Sequence, residues 1–431
     1  MQACRKAKGA GRTIASMNRR SFLASLAALS ACSQTAGPPT VLLRSGWQTE
    51  NIGDIAHTPG VLHLLERHLP EAKVILWSNA LENGVYAMLD RRFPNVEIVS
   101  GEPGELGEVF DRAHFLLHGS GPSVVAKNHV AAWSEATAKP YGIFGVTISL
   151  DGEAASAALD PDLKRLLEGA EFVYTRESRS LQNLISAGVE GPKLDFVPDG
   201  TFSVDVRDDK QAEDFLEANE LAEGKFLCVI PRLRFTPYHE FKSVNWSQGK
   251  IRTRTEVNEA HAEEDHAKLR EVIVRWIDRT RGQVLLCPEM TYQTEIIDPL
   301  LFNPLPDRVK PSVVRRKQYW LTDLAASVYA RAGAVVSFEC HSPIIAASMG
   351  TPCFYVHQPE DGIKGQMWAD VGLRSFEVEE ATGAEIADAV LEVHADPEAA
   401  REKTAQAVAF ARERQQRGIE AIKPSLPVQG G

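Results

Sequence analysis

Residues 334–356 constrain the fold more than any other stretch of the chain. Ala334-Val335-Val336-Ser337-Phe338 reads as a buried strand, and Glu339-Cys340-His341 follows it at once. Ser342 is placed to cap a short helix with Pro343 at its first position. Gly350-Thr351-Pro352 then ends that helix before a second strand, Cys353 to Val356. Pro just inside a helix start and Gly just past its end is the expected asymmetry. The product is a βαβ unit with a carboxylate, Glu339, and an imidazole, His341, at the carboxyl end of a strand beside a helix N-terminus. Open α/β sheets bind ligands at that edge, and free N–H groups there favour anions.

The same alternation runs along the whole chain. Strands are expected at Val41–Leu43, Lys73–Trp77, Phe115–Leu117, Tyr141–Ile148 and Phe172–Tyr174, then at Phe226–Ile230, Val284–Cys287 and Ala334–Phe338. Helical patterns separate them: Thr58-Pro59 opens one through His68, and others fall at His266–Thr280 and Leu324–Ala330. Alternation of this kind implies parallel sheets covered by helices. At 431 residues there is room for two such units. The expected class is α/β, with two Rossmann-like doubly wound lobes across a cleft, at 40–205 and 206–395, and a terminal helix and tail at 396–431. Gln211–Glu223 reads as a charged linker or surface helix. The polar stretch Tyr238–His266 lacks an apolar period and reads as a long loop.

The chemistry-bearing residues cluster where strands end. Asn51, Gly53 and Asp54 follow the first strand and can hold a polar ligand, or simply form a βα turn. His118-Gly119-Ser120-Gly121 follows Phe115–Leu117, and its glycines suit a backbone lining a cleft. Arg176 sits after Phe172–Tyr174, for an anion or for an ion pair with Glu177. Asp199 falls in a turn closing the first lobe. Arg232 and Arg234 follow the first strand of the second lobe, and guanidinium groups bind carboxylate and phosphate bidentately. Glu339, His341 and Ser342 follow the strand described above, with His357, Asp361, Lys364 and Gln366 beyond the next. An imidazole near a helix N-terminus is kept neutral and able to act as a base.

Residues 1–39 read as an address. Asn18-Arg19-Arg20-Ser21-Phe22-Leu23 looks like a twin-arginine export signal, and Phe22–Ala31 is apolar but too short to span a bilayer comfortably. Leu29-Ser30-Ala31-Cys32 resembles a lipobox, which makes Cys32 the expected lipidated N-terminus of an exported, envelope-anchored protein. Met17 is then a candidate start, with residues 1–16 an extension or a long n-region. The formal net charge of −11 and the lack of a basic run argue against nucleic acid as a partner. Cys228, Cys287, Cys340 and Cys353 form no Cys-x-x-Cys pair, so no metal site is expected from them. Cys340 and Cys353 flank one short helix, and a bridge between them is left open.

In order and spacing these segments resemble the polysaccharide pyruvyl transferase family from about Val41 to Leu373. The matching pieces are Asn51-Ile52-Gly53-Asp54, Gly119-Ser120-Gly121, Gly142 to Ser149, Thr175-Arg176-Glu177 with Ser180 and Gly188-Val189, and Pro198-Asp199-Gly200. To these the C-terminal block adds Ser337 to His341, Ala346-Ala347, Gly350-Thr351-Pro352 and Lys364 before Gly372-Leu373. The resemblance implies an architecture like that of glycosyltransferase B enzymes. It also implies transfer of a pyruvyl group from phosphoenolpyruvate to two sugar hydroxyls of an envelope glycan or exopolysaccharide, with no cofactor and no metal. Carried over by position, His341 looks like the catalytic or donor-binding histidine, Arg232 like a donor-binding arginine, and Lys364 like a holder of phosphate or carboxylate. The family usually has Arg two residues before the histidine, where this chain has Glu339. A carboxylate there repels phosphoenolpyruvate unless Arg232, Arg234 and Lys364 compensate, or the donor differs. Two other readings stay open: a glycan-binding envelope protein without turnover, and a glycosyltransferase using a nucleotide sugar.

Overall fold

The computed structural model describes residues 37–150 and 159–427. The signal, the lipobox and Cys32 lie outside the described residues. Two parallel sheets carry the fold. The first contains β1 (Thr40–Arg44), β2 (Lys73–Trp77), β3 (Glu97–Val99), β4 (Phe115–His118), β5 (Tyr141–Val146), β6 (Phe172–Thr175) and β7 (Lys193–Phe196), in spatial order 3-2-1-4-5-6-7. The second contains β8 (Phe226–Ile230), β9 (Gln283–Leu286), β10 (Val313–Arg315), β11 (Ala334–Ser337), β12 (Cys353–His357) and β13 (Ser375–Glu377), in order 10-9-8-11-12-13. Strand order reverses between β1 and β4, and again between β8 and β11, so each lobe has the switch point at which such sheets place ligands. The central strands run apolar because both faces are covered by helices.

Five helices matter for the site: α1 (Ile52–His68), α2 (Gln248–Thr280), α3 (Thr322–Tyr329), α4 (His341–Ser348) and α5 (Pro397–Glu420). One apolar cluster runs through both lobes, joining Ile52, Leu65 and Phe202 of the first to Leu324, Ile344 and Tyr355 of the second. Backbone bonds also cross between lobes. Ile52 N donates to Glu289 O at 3.0 Å and Thr291 N to Glu50 O at 3.0 Å. The lobes are therefore fused along a seam rather than hung on a linker. The last helix, α5, returns to the first lobe, where Arg412 donates to Phe202 O at 3.1 Å and Ser203 Oγ donates to Gln415 Oε1 at 2.6 Å.

Three sequence expectations are corrected. The first helix starts at Ile52, not near Thr58, because the Asn51 side chain accepts from Gly53 N at 2.6 Å and Asp54 N at 3.2 Å; Pro59 lies within it. The helix after β11 starts at His341, with Cys340 rather than Ser342 at the cap position and no side-chain cap bond. Tyr238–His266 is not a long loop: after a short Tyr238–Phe241 helix, most of it belongs to the 33-residue α2. Its first four turns have no apolar face, so the period that betrays an amphipathic helix is missing, although the composition favours helix. The four cysteines in the described residues, Cys340 and Cys353 included, are free and buried. Gln211–Glu223 resolves to the helix Asp209–Ala218.

Candidate active site

The carboxyl ends of both sheets meet at the seam, and a buried polar cluster fills the junction. From the first lobe come His57 on α1, Ser120 after β4, Arg176 and Glu177 after β6, and Asp199 after β7. From the second come Glu289 after β9 and His341 at the start of α4. His341 lies between two carboxylates, with Nε2 3.5 Å from Asp199 Oδ2 and Nδ1 3.9 Å from Glu289 Oε1. The His57 ring meets it edge-on at 4.8 Å between centroids. His57 Nδ1 shares a proton with Ser120 Oγ at 2.8 Å, and Ser120 Oγ also accepts from Gly200 N at 2.9 Å. Arg176 reaches Asp199 at 3.4 Å, Glu177 at 3.5 Å and Thr147 Oγ1 at 2.7 Å.

Electrostatics follow from burial and neighbours. Burial lowers His57 to about 4, despite Asp199 nearby, so this ring is neutral at physiological pH. Burial alone would raise the Asp199 carboxyl, but His57, His341 and Arg176 outweigh it and hold the group well below the ordinary carboxylate range. Burial raises Glu289, against the opposing pull of His341 and the Ser342 N–H. Glu289 Oε2 accepts from Ser342 N at 2.6 Å. The N-terminus of α4, expected to receive an anionic ligand, therefore already holds an internal carboxylate.

A second group lies beside the first at the ends of β8, β11 and β12. Arg232 contacts Asp361 at 2.7 Å, Gln358 Oε1 at 2.8 Å and Glu339 at 3.3 Å. Glu339 Oε1 accepts from Gln293 Nε2 at 2.7 Å. Burial drives Glu339 up to about 8, more than Arg232 beside it pulls it down. Its carboxyl thus points at the guanidinium and carries a proton at neutral pH. Lys364 is half-buried, and its charge acts on Glu339, Cys340 and Asp361. Arg234 turns away: Asp265 grips it at 2.9 and 3.0 Å, and Glu379 at 2.6 Å.

The structure therefore brings together His341, Glu339, Arg232, Lys364, Ser120 and Arg176, and separates Arg234. No direct contact joins Arg232 to His341; Glu339 lies between them in sequence and charge, and the guanidinium nearest the His341 network is Arg176, through Asp199. Asn51 caps α1, Asp54 bonds Gln48, and Ser342 Oγ bonds Tyr329 OH at 3.1 Å. His118 accepts from Ala126 N at 3.2 Å and stacks on Trp47 at 5.0 Å. Sequence reasoning passed over His57, Glu289 and Gln293, and placed Asp199 only in a turn. Glu289 had a usable signal: it is the first charged residue after the buried strand Val284–Cys287. His57 had none, because it lies in what reads as loop.

One ligand atom each from His57, Asp199 and His341 fall within 4.8 Å of one another, a spacing that can hold a metal ion. The Arg176 guanidinium 3.4 Å from the same Asp199 oxygen competes for that carboxylate.

Solved structures share this architecture. A protein of Listeria monocytogenes solved as a candidate UDP-N-acetylglucosamine 2-epimerase aligns over 90% of this chain and 96% of its own, with TM-score 0.59 and 12% identity. The UDP-GlcNAc 2-epimerase of Neisseria meningitidis bound to UDP-GlcNAc aligns over 89% and 100%, with TM-score 0.53 and 11% identity. Anabaena Alr3699/HepE in complex with UDP-glucose aligns over 88% and 97%, with TM-score 0.52 and 12% identity. At such identities the likeness is one of fold, that of glycosyltransferase B enzymes and epimerases. A search of curated proteins found no match. The polysaccharide pyruvyl transferase family model matches residues 51–357, from the Asn51 cap to the end of β12, so the chain belongs to the polysaccharide pyruvyl transferase family.

Proposed function

We propose that the protein transfers a pyruvyl group from phosphoenolpyruvate to two hydroxyls of a sugar in an envelope glycan or exopolysaccharide. The supporting observation is where His341 lies: inside the matched segment, between two carboxylates at the seam, next to the Arg232–Glu339 pair. In the reaction the CH2 carbon gains a proton and becomes a methyl group. One sugar oxygen bonds to the central carbon, and phosphate leaves as the second oxygen closes the ketal. This needs an acid, a base and cations for the carboxylate and the departing phosphate. His341 moves protons at the acceptor hydroxyl, while Arg232 and Lys364 face the donor. Glu339, protonated near neutral pH, brings no full negative charge to the place of the family's usual arginine, and it holds a proton beside the donor. The export signal and lipidated Cys32 expected from the sequence fit an acceptor in the envelope.

Incubating the protein with phosphoenolpyruvate and an envelope glycan tests the proposal by phosphate release. Release is expected, with His341→Ala lowering kcat about 100-fold or more. Absence of release across a glycan panel removes the reading. One observation favours a second reading. Arg232 is already paired with Asp361 at 2.7 Å, and two of the solved neighbours are nucleotide-sugar complexes. A nucleotide-sugar glycosyltransferase predicts thermal stabilisation by UDP-glucose and none by phosphoenolpyruvate.

A further inference from the structure

A small cavity of about 200 Å³ opens beside the seam cluster, lined by Arg44, Trp47, Asn79, Val125, Asn128 and His129 among others. The proposed chemistry does not use it. Its floor is built around one indole. Gly46 at φ +80° lets the chain turn tightly over the end of β1, where a Cβ would lie 1.9 Å from Ser78 Oγ. Trp47 then folds back, and its Nε1 donates to Ser120 O at 2.7 Å. Arg44 and His118 are register partners on β1 and β4, so their side chains project to the same side of the sheet. Both lie against the indole, Arg44 Cζ at 5.2 Å and His118 at 5.0 Å between centroids. Arg44 is itself fixed by Trp77 O at 3.0 Å and His129 Nδ1 at 3.0 Å. The indole is thus held rigid from below and by its N–H, with part of its surface left in the cavity.

The rim has different chemistry. Asn79 and Asn128 are exposed, and among the described residues their side chains have no hydrogen-bond partner. Val125 beside them is 45% exposed. A fixed aromatic face with free amides around it offers one apolar plane and paired donors and acceptors, which is the complement of a sugar ring. The volume is below the ~300–1,000 Å³ of pockets that enclose larger ligands, a scale that suits one ring. The cavity also touches the reaction centre through covalent and hydrogen-bonded steps: Trp47 binds Ser120, and Ser120 binds His57, whose ring meets His341.

We propose that the Trp47 cavity is a glycan subsite, taking one sugar ring on the indole with Asn79 and Asn128 bonding its hydroxyls. This rests on the glycan acceptor proposed above and names the residues that select it.

Saturation-transfer NMR on the full chain, with the methyl glycosides of glucose, galactose, mannose and N-acetylglucosamine, tests it. At least one glycoside should give a signal, and its dissociation constant should rise about fivefold or more in Asn79→Ala/Asn128→Ala, for two lost hydrogen bonds. The double variant changes only exposed side chains and keeps the fold. Trp47→Ala should abolish the signal. Silence from all four glycosides, or equal binding by wild type and double variant, overturns the subsite. Glycoside binding without phosphate release from phosphoenolpyruvate keeps the subsite and discards pyruvyl transfer. Phosphate release with glycoside binding unchanged in the double variant does the reverse.

Discussion

Glycine 53 shows how tightly the reaction centre is drawn. It lies on the first turn of α1, and a Cβ there would stand 2.3 Å from His341 Cβ and 2.8 Å from Glu289 Oε1. Both obstacles belong to the other lobe and both are buried, so neither can swing aside. Gly53→Ala should destabilise the protein by about 1–3 kcal/mol, the range for overpacking, and should lower activity further by displacing His341. Urea denaturation and phosphate release measure the two effects. Glu339 gives a pH signature at the same scale. Its folded pKa of about 8 lies above the ordinary 4.5, so between those values the folded state holds a proton that the unfolded state has released. Stability conferred by that proton is complete below about 4.5 and falls as pH rises to about 8. Glu339→Gln should flatten this limb of a Tm-against-pH curve. A curve equally steep in the variant assigns the slope to other groups.

At the scale of elements, legibility tracked burial. The central strands β1, β2, β4, β6, β8, β9, β11 and β12 could be read within about a residue or two at their ends, because each is an apolar run between helices. The short edge strands β3, β10 and β13 could not, since with three residues each there is no pattern to see. Helix α2 was lost for the opposite reason: its first half is helical by propensity and i,i+4 pairs such as Arg252–Glu256, and buries almost nothing. That half has a structural task. Asn258 clasps the segment before it, accepting from Phe235 N and donating to Phe235 O, both at 2.8 Å. The segment continues to Lys242, which crosses to Gln48 Oε1 at 2.7 Å and Glu50 at 2.8 Å in the other lobe. Asn258→Ala should therefore loosen residues 235–246 while sparing the global fold, because the lost bonds of about 1 kcal/mol each act locally. Faster hydrogen exchange confined to that segment is the expected result; uniform acceleration along the chain would speak against a local clasp.

Across the whole molecule, the site could be foreseen by halves. His341, Glu339 and Arg232 sit at strand ends in linear order and are visible as such. Their partners His57 and Asp199 come from the facing sheet edge, and no local pattern in the chain reports which edge will face which; Glu289 follows β9 in the same lobe as His341. The seam that unites them is continuous with the apolar core, and α5 then straps the second lobe back to the first. Val408, Ala411 and Ile419 are buried in that core, and Gln415 bonds both Ser203 and the Asp199 backbone oxygen. The Asp199 position is thus set partly from a helix more than 200 residues away in sequence. Two lobes fused in this way should unfold in one calorimetric transition. Removing residues 397–431 should lower Tm and cost activity together, because the backbone that carries Asp199 loses its support. Gln415→Ala isolates the second effect: it should lower kcat more than the loss of one bond of about 1 kcal/mol lowers stability. Two separated transitions in the intact chain, or a truncated chain with full activity, would mean that the lobes are independent and that α5 only decorates the surface.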